Sequence, residues 1–356
     1  MLRRNSRTMA YSSIHKATPK LSNLLPTLTI AASFEDSNGY GYFTNRILRH
    51  FVREGVKIEL FPLFGHNPPG DLMPFVSQRK PRSKYDIVFT AVANNPEGLH
   101  GRLLFTMYEA TEVPVQYGVG LRRYDQIVVP TKFSADAIQP WTKRKIKLCP
   151  LGVSMRWAPP LFQPFTFTAV ATDHQCPERK RIQELTDCFS ETFKHEGDVR
   201  LQLKRTPECQ KIRTFDRRVE IVDTRLERST YERLIHTTTV GVQVSAMEGW
   251  SLPVNEFMAA GRPVITPLAG AMGDYCNVNC CFPVRTTLVS APRNIFLGAG
   301  KIPWADMKHL STQLRFVYEN RQDVVRRGLA AYDHAQRFTN ETMGQNFLRL
   351  CQSILT

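Results

Sequence analysis

Two carboxylates eight positions apart, Glu248 and Glu256, stand in the stretch EGWSLPVNEFMAAG that runs from Glu248 to Gly261. The strand-like run "TTVGVQVSA" precedes it and the strand-like "PVITPL" follows it. Ligands of open α/β sheets bind beyond the carboxyl ends of the strands, where loops turn into helices. The pattern predicts a strand over 239–246, a helix from Ser251 or Leu252 with Pro253 in its first turn, and a stop at Gly261 and Pro263. Unpaired N–H groups of Gly249, Trp250, Ser251 and Leu252, together with the helix dipole, then form an anion site suited to a phosphate. Glu248, just before that site, is placed to accept hydrogen bonds from hydroxyls. Glu256 lies about one turn further in, at ~1.5 Å per residue, where a carboxylate can grip a vicinal diol such as that of ribose. A phosphate between two hydroxyl-binding carboxylates describes a nucleotide sugar. The spacing alone leaves a plainer alternative open, an N-cap-like acid followed by an ordinary helical glutamate.

The surrounding elements must hold this turn. "TLTIAASF" (27–34) predicts a buried strand, and "EDSNGYGYF" a loop of small residues in which Gly39 and Gly41 flank Tyr40. "TNRILRHFVREG" has Ile47, Leu48, Phe51 and Val52 at helical spacing and Gly55 as its cap, and "VKIELFPL" is a second strand. Together they make one βαβ unit. Strands follow over 85–93, 101–110, 124–131 and 146–153, with a short helix opening at "KFSADAIQPW". The proline-rich "MRWAPPLFQPF" (155–165) reads as a linker, after which strand and helix alternate again. The expectation is α/β, with two Rossmann-like doubly wound parallel-sheet domains, 27–154 and 166–340, facing a central cleft. A basic mobile tail (1–26) and a C-terminal helix (341–356) complete the organisation.

The 356 residues carry a net charge of +15. Residues 1–157 hold 22 Lys and Arg against 11 Asp and Glu, so +11 of that charge sits in the first half. Clusters at Arg79-Lys80-Pro81-Arg82-Ser83-Lys84 and Lys143-Arg144-Lys145-Ile146-Lys147 suggest an electropositive face for an anionic acceptor, a nucleic acid or an anionic membrane. No apolar run approaches the ~20 residues of a spanning helix, and no secretory h-region of ~7–15 residues follows the early arginines. The eight cysteines form no CxxC pair and read as reduced thiols. A cytoplasmic protein is expected, peripheral at most to a membrane or nucleic acid.

"EGWSLPVNEFMAAGRPVIT" resembles the paired-glutamate segment of the retaining, family-4-type glycosyltransferases with the GT-B fold. The resemblance continues in order from about residue 28 to the C-terminus, through "NGYGYFTNRILRHFVREG", "LLFTMYEATEVP", "YDQIVVPTKFSADAI", "IKLCPLGVSMRWAPP" and "VATDHQCPERKRIQELTDCFSETF". It implies that Glu248 contacts the donor sugar, Glu256 holds the ribose, and the amides of residues 249–252 cradle the diphosphate. Lys180 would neutralise the diphosphate and stabilise the leaving group. Arg179 beside it would stand with the donor-binding residues as a surface or supporting group, and His174 takes the place of a second basic group. Gly39, Tyr40 and Gly41 would approach donor phosphates or the acceptor, and Glu109 would stand on the rim of the cleft. Arg181 occupies a position where the family has glycine, so the backbone there is expected to differ or to avoid positive φ. Ser251 for glycine and Thr131 for serine read as mild departures.

No Asp-x-Asp is present, and the resemblance implies no essential metal and no cofactor beyond the nucleotide-diphosphate sugar. The expected reaction is sugar transfer with retention to a glycan, lipid or polyanion-associated hydroxyl. One alternative is a DNA-base glycosyltransferase that uses the basic first domain. A second is a binding protein for sugar nucleotides or polyanions without catalysis, and a third is a nucleotide-sugar epimerase. Arg46, Arg49 and Arg53 along one side of the first helix would serve either nucleic acid or a membrane surface.

Overall fold

The computed structural model describes residues 25–35, 39–79, 84–92, 98–171, 177–207, 209 and 211–356, with 177 and 178 described by backbone alone. The tail before residue 25, His174, Cys176 and positions 80–83 of one basic cluster lie outside the described residues. The first sheet is built from β1 (Leu28–Ala32), β2 (Ile58–Pro62), β3 (Lys84–Phe89), β4 (His100–Phe105), β5 (Tyr124–Val129) and β6 (Lys147–Leu148). Its order is β2-β1-β3-β4-β5-β6 and all pairs are parallel. Between these strands run helices α1 (Gly39–Arg53), α2 (Val115–Leu121) and α3 (Lys132–Ile138).

The second sheet begins with β7 (Phe165–Ala171), every residue of which is buried, as a strand covered on both faces must be. The chain continues through α4 (Ile182–Thr192), β8 (Val199–Arg205), β9 (Val219–Asp223), α5 (Arg228–Thr237), β10 (Val240–Val242), α6 (Leu252–Ala259), β11 (Val264–Pro267), α7 (Met272–Tyr275) and β12 (Cys281–Val284). Strand order is β12-β11-β10-β7-β8-β9, again all parallel. An antiparallel hairpin, β13 (Thr286–Ser290) and β14 (Lys301–Ala305), encloses the single turn α8 (Arg293–Phe296). Helices α9 (Met307–Glu319), α10 (Arg321–Ala335) and α11 (Asn340–Leu355) end the chain.

Four features depart from the sequence expectations. Gly39-Tyr40-Gly41 is the first turn of α1 rather than a loop. The strand expected over 239–246 is reduced to 240–242; Gln243 N still donates to the Ile265 carbonyl of the neighbouring strand at 2.9 Å, and the chain leaves the sheet after it. The strand expected over 146–153 is reduced to Lys147–Leu148. The β13–β14 hairpin was not anticipated at all.

Although α11 follows the second sheet in sequence, it packs on the first. Phe347 stacks on Phe51 of α1 at 6.0 Å and reaches Phe89 and Phe105 at 5.4 and 5.6 Å. The chain therefore crosses between the sheets twice, and the crossings are tied together. Val153 N donates to Phe338 O (3.0 Å) and Asn340 Nδ2 to Ser154 Oγ (3.1 Å). Gly152 has no room for a side chain, since a Cβ there would lie 2.1 Å from the Thr339 carbonyl oxygen. The segment after Val153 has no regular structure but is not loose. The fully buried Arg262 donates to the carbonyls of Ala158, Pro159 and His236.

Candidate active site

The loop from Gln243 to Ser251 carries the chain from β10 to α6, whose first turn contains Pro253 as expected. Ser251 at the N-cap has φ 75° and ψ 80° and its side chain makes no capping bond to the helix. Its hydroxyl accepts instead from Gln243 Nε2 at 3.1 Å, and its carbonyl accepts from Tyr275 OH, also at 3.1 Å. Glycine is the residue that takes this backbone without strain, so serine here is not the mild departure the sequence suggested. Trp250 is turned inward: its ring stacks on Tyr275 at 4.2 Å and meets Phe338 edge-on. Its side chain belongs to the core, which leaves its amide as the group available to a ligand.

Gly249 is where the second sheet's loop presses on the first domain. A Cβ there would fall 2.6 Å from Met107 Cβ, and Thr131 Oγ1 donates to the Gly249 carbonyl at 3.3 Å. Met107 and Glu109 follow β4, and Thr131, which also caps α3, follows β5. The carboxyl ends of both sheets thus meet at residues 248–252.

Lys180 and Glu248 form the centre. Lys180 Nζ donates to Glu248 Oε1 at 2.5 Å, and the two side chains are only 10% and 9% exposed. Beside them Arg179 Nη1 bonds Glu109 Oε2 at 2.6 Å and the Met247 carbonyl at 3.0 Å. Backbone registration fixes these neighbours, since Ala246 N donates to Arg179 O at 2.9 Å. Burial pushes the Glu248 carboxyl up, but the Lys180 ammonium and then the Arg179 guanidinium outweigh it and hold the group below the usual carboxylate range. Glu109 goes the other way. Burial raises it, Arg179 opposes, and the Glu248 charge adds to the rise. The site keeps a firmly ionised carboxylate at Glu248 and a less acidic one at its rim.

Glu256 is 5% exposed and each of its oxygens accepts one bond: Arg228 Nη1 donates to Oε1 and Tyr231 OH to Oε2, each at 2.7 Å. Arg228 also donates to Ser154 O at 3.0 Å, joining this carboxylate to the crossing between the sheets. Sequence reasoning missed both partners. The signal lay in α5, where Arg228 and Tyr231 are three residues apart on one helical face.

The first domain supplies Tyr40, whose hydroxyl accepts from Met107 N at 2.9 Å and whose phenol is raised by burial. Gly39 opens α1 opposite α6, with a Cβ there 3.8 Å from Leu252 Cδ1. Gly41 serves the chain itself, because a Cβ would lie 2.0 Å from the Glu35 carbonyl oxygen. Arg181 overturns its expectation. It keeps the left-handed backbone at φ 54° and buries its guanidinium against Trp304, at 4.1 Å from the ring. The basic side of α1 is also occupied. Arg49 pairs with Asp71 at 2.6 Å, Arg53 pairs with Glu341, and Arg46 lies over Tyr42 at 4.7 Å.

No family model matches the chain, and no curated protein matches it in sequence. Solved structures do. Sucrose-phosphate synthase from Thermosynechococcus elongatus superposes with a TM-score of 0.65 at 12% identity, covering 92% of this chain and 99% of that one. The lipopolysaccharide outer core galactosyltransferase WaaB, in its apo form, gives 0.61 at 14% identity, over 91% and 98%. A mutant of S. aureus TarM in complex with Fondaparinux, alpha-GlcNAc-glycerol and UDP gives 0.56 at 13% identity, over 74% of this chain and 55% of the longer TarM chain. At these identities the likeness is one of architecture. The two parallel sheets, the cleft between their carboxyl ends and the returning last helix make this a GT-B fold.

Proposed function

We propose that the chain transfers a sugar from a nucleotide-diphosphate donor to an acceptor hydroxyl, with retention at the anomeric carbon. The observation that carries this reading is the buried Lys180–Glu248 pair at the N-terminus of α6, where both sheets end. Glu248, ionised, accepts hydrogen bonds from donor-sugar hydroxyls. Lys180 and the amides of Gly249 to Leu252 take up the charge that develops on the diphosphate as the glycosidic bond breaks. The transition state is oxocarbenium-like, so stabilising the leaving group is the largest task. A donor phosphate oxygen takes the acceptor's proton on the same face, and no enzyme nucleophile is needed. Glu256, oriented by Arg228 and Tyr231, offers its remaining lone pairs to the ribose. Arg179 supports the Met247 carbonyl and Glu109 rather than the donor. These groups supply the positive charge, and the scheme needs no metal.

The UDP in the TarM complex supports a nucleoside-diphosphate leaving group. On the acceptor side, the internal pairing of Arg49 and Arg53 speaks against α1 as a track for nucleic acid. The exposed run Lys143 to Lys145 remains as an anionic-surface contact.

The test is a panel of nucleotide sugars with mass-spectrometric detection of nucleoside diphosphate and glycosylated product. Wild type is expected to release nucleoside diphosphate, and Glu248→Gln and Lys180→Met to lose about 10²–10³ of that rate, the scale of removing one preorganised charge-stabilising group. Turnover equal to wild type in both variants, or no release from any donor, overturns the reading.

A further inference from the structure

The β13–β14 hairpin is anchored to both halves of the molecule. On the second domain, Arg181 donates to the Ala305 carbonyl and lies over Trp304. On the first, Thr111 N donates to Lys301 O (3.0 Å) and Lys301 N to Thr111 Oγ1 (2.8 Å). Phe296 meets Tyr108 edge-on at 5.1 Å, and Tyr117 OH donates to Ile295 O at 3.0 Å. Two antiparallel strands joined by a turn are barely stable in isolation, so these anchors hold the hairpin in place.

Between the hairpin and the active-site loop lies a cavity of about 510 Å³, within the size range of small-molecule sites. Its wall is apolar along Met247, Val289, Pro292, Ile302 and Trp304. Arg179, Ser290 and Asn294 are the polar residues on it, and the Arg179 guanidinium already faces Glu109 and the Met247 carbonyl. Among the described residues no carboxylate lines the cavity to bind the hydroxyls of a second sugar, and its arginine is already paired with Glu109. Arg179 and Met247 are the chain neighbours of Lys180 and Glu248, so a group seated here lies beside the proposed point of transfer.

We propose that this cavity takes an apolar, aryl or alkyl, portion of the acceptor, next to the hydroxyl that receives the sugar. This rests on the glycosyltransferase reading and extends it to acceptor class. Apolar burial supplies the preference, and a tenfold difference in dissociation constant corresponds to about 1.4 kcal/mol.

The test compares p-nitrophenyl glucoside with methyl glucoside by isothermal titration to the full chain, and as acceptors with a donor that wild type hydrolyses. The aryl compound is expected to bind at least tenfold more tightly and to show a correspondingly lower acceptor KM. Val289→Trp, which fills the cavity, and Ser290→Trp, at an exposed position on its mouth, are expected to abolish that preference. UDP affinity reports that each variant is folded. Equal binding of the two glucosides, or a preference that survives in both variants, overturns the acceptor pocket and leaves the transferase reading standing. Wild type that neither binds UDP nor hydrolyses any donor fails on the transferase reading itself, in measurements that do not involve the cavity, and takes the acceptor role with it.

Discussion

The Lys180–Glu248 pair is held in place at the expense of two desolvated charges, and removing one partner exposes that cost. Lys180→Met leaves Glu248 buried without its nearest cation, a change expected to cost about 3–5 kcal/mol at neutral pH. The pH dependence should then reverse. In wild type the Glu248 carboxyl is depressed, so its contribution to stability is complete above the ordinary carboxylate range and is lost as pH falls through the depressed value. Without Lys180, burial dominates and the carboxyl rises. Protonation on acidification then relieves the variant while wild type gains nothing. Calorimetric Tm values from pH 7 to pH 5 should converge. A constant gap would mean that Glu248 does not sense Lys180.

Ser251 gives a second test at this scale. Ser251→Ala loses the Gln243 hydrogen bond, worth about 1 kcal/mol, and keeps the left-handed backbone. Ser251→Gly loses the same bond but relieves about 1 kcal/mol of backbone cost. Denaturant midpoints should therefore place the glycine variant near wild type and the alanine variant clearly below it.

Among the elements, the hairpin owes its hold on the second domain to Arg181. Arg181→Ala removes the bond to the Ala305 carbonyl, the partner of Glu184 and the stack on Trp304. A loss of about 2–4 kcal/mol is expected from these together. Hydrogen exchange should accelerate over residues 286–305 and stay unchanged in β7 and β8. Uniform acceleration would show that Arg181 supports the whole domain instead.

Arg181 also marks where the sequence ceased to be readable. Periodicity revealed nearly every buried parallel strand, because "LTIAA" and "FTFTAVA" are continuous apolar runs of strand length. It also located the turn into α6, because Pro253 and Gly261 punctuate that helix. Local signals fail where tertiary contacts decide the conformation. The arginine in a left-handed backbone packs its guanidinium on Trp304 and bonds Ala305, more than a hundred residues away. The hairpin strand "TTLVS" has exposed residues on both faces and carries little pattern. Gly39 to Gly41 read as a loop because glycine is a poor helix former, and what requires glycine at 41 is the close backbone of Glu35, which a Cβ would strike. The partners of Glu256 carry only a partial signal: Arg228 and Tyr231 share one face of α5, but nothing in α5 announces that this face meets α6.

On the scale of the whole molecule, the paired crossings and Arg262 make the connection between the sheets a fixed joint rather than a loose tether. Ligand in the cleft should stabilise the two halves together. With UDP at a hundred times its dissociation constant, a single-site gain of about 2.7 kcal/mol is expected. One cooperative calorimetric transition, shifted upward, is the predicted record. Two transitions of which only the later moves would show that the halves unfold independently.

The position of α11 has a bearing on how the chain is made. Phe347 completes an aromatic cluster with Phe51, Phe89 and Phe105, all of which leave the ribosome more than two hundred residues before it. Domains commonly fold in order of synthesis, N-terminal first, at about 5–20 residues per second. Here the first sheet must wait with an uncovered apolar face until the last residues emerge, while the second sheet is free to finish earlier. A fragment of residues 25–154 is accordingly expected to aggregate when expressed alone and to become soluble when residues 335–356 are supplied as a separate peptide. For this fold the vulnerable interval in the cell is the time needed to synthesise the whole second domain, and a holding chaperone would act on the first half of the chain.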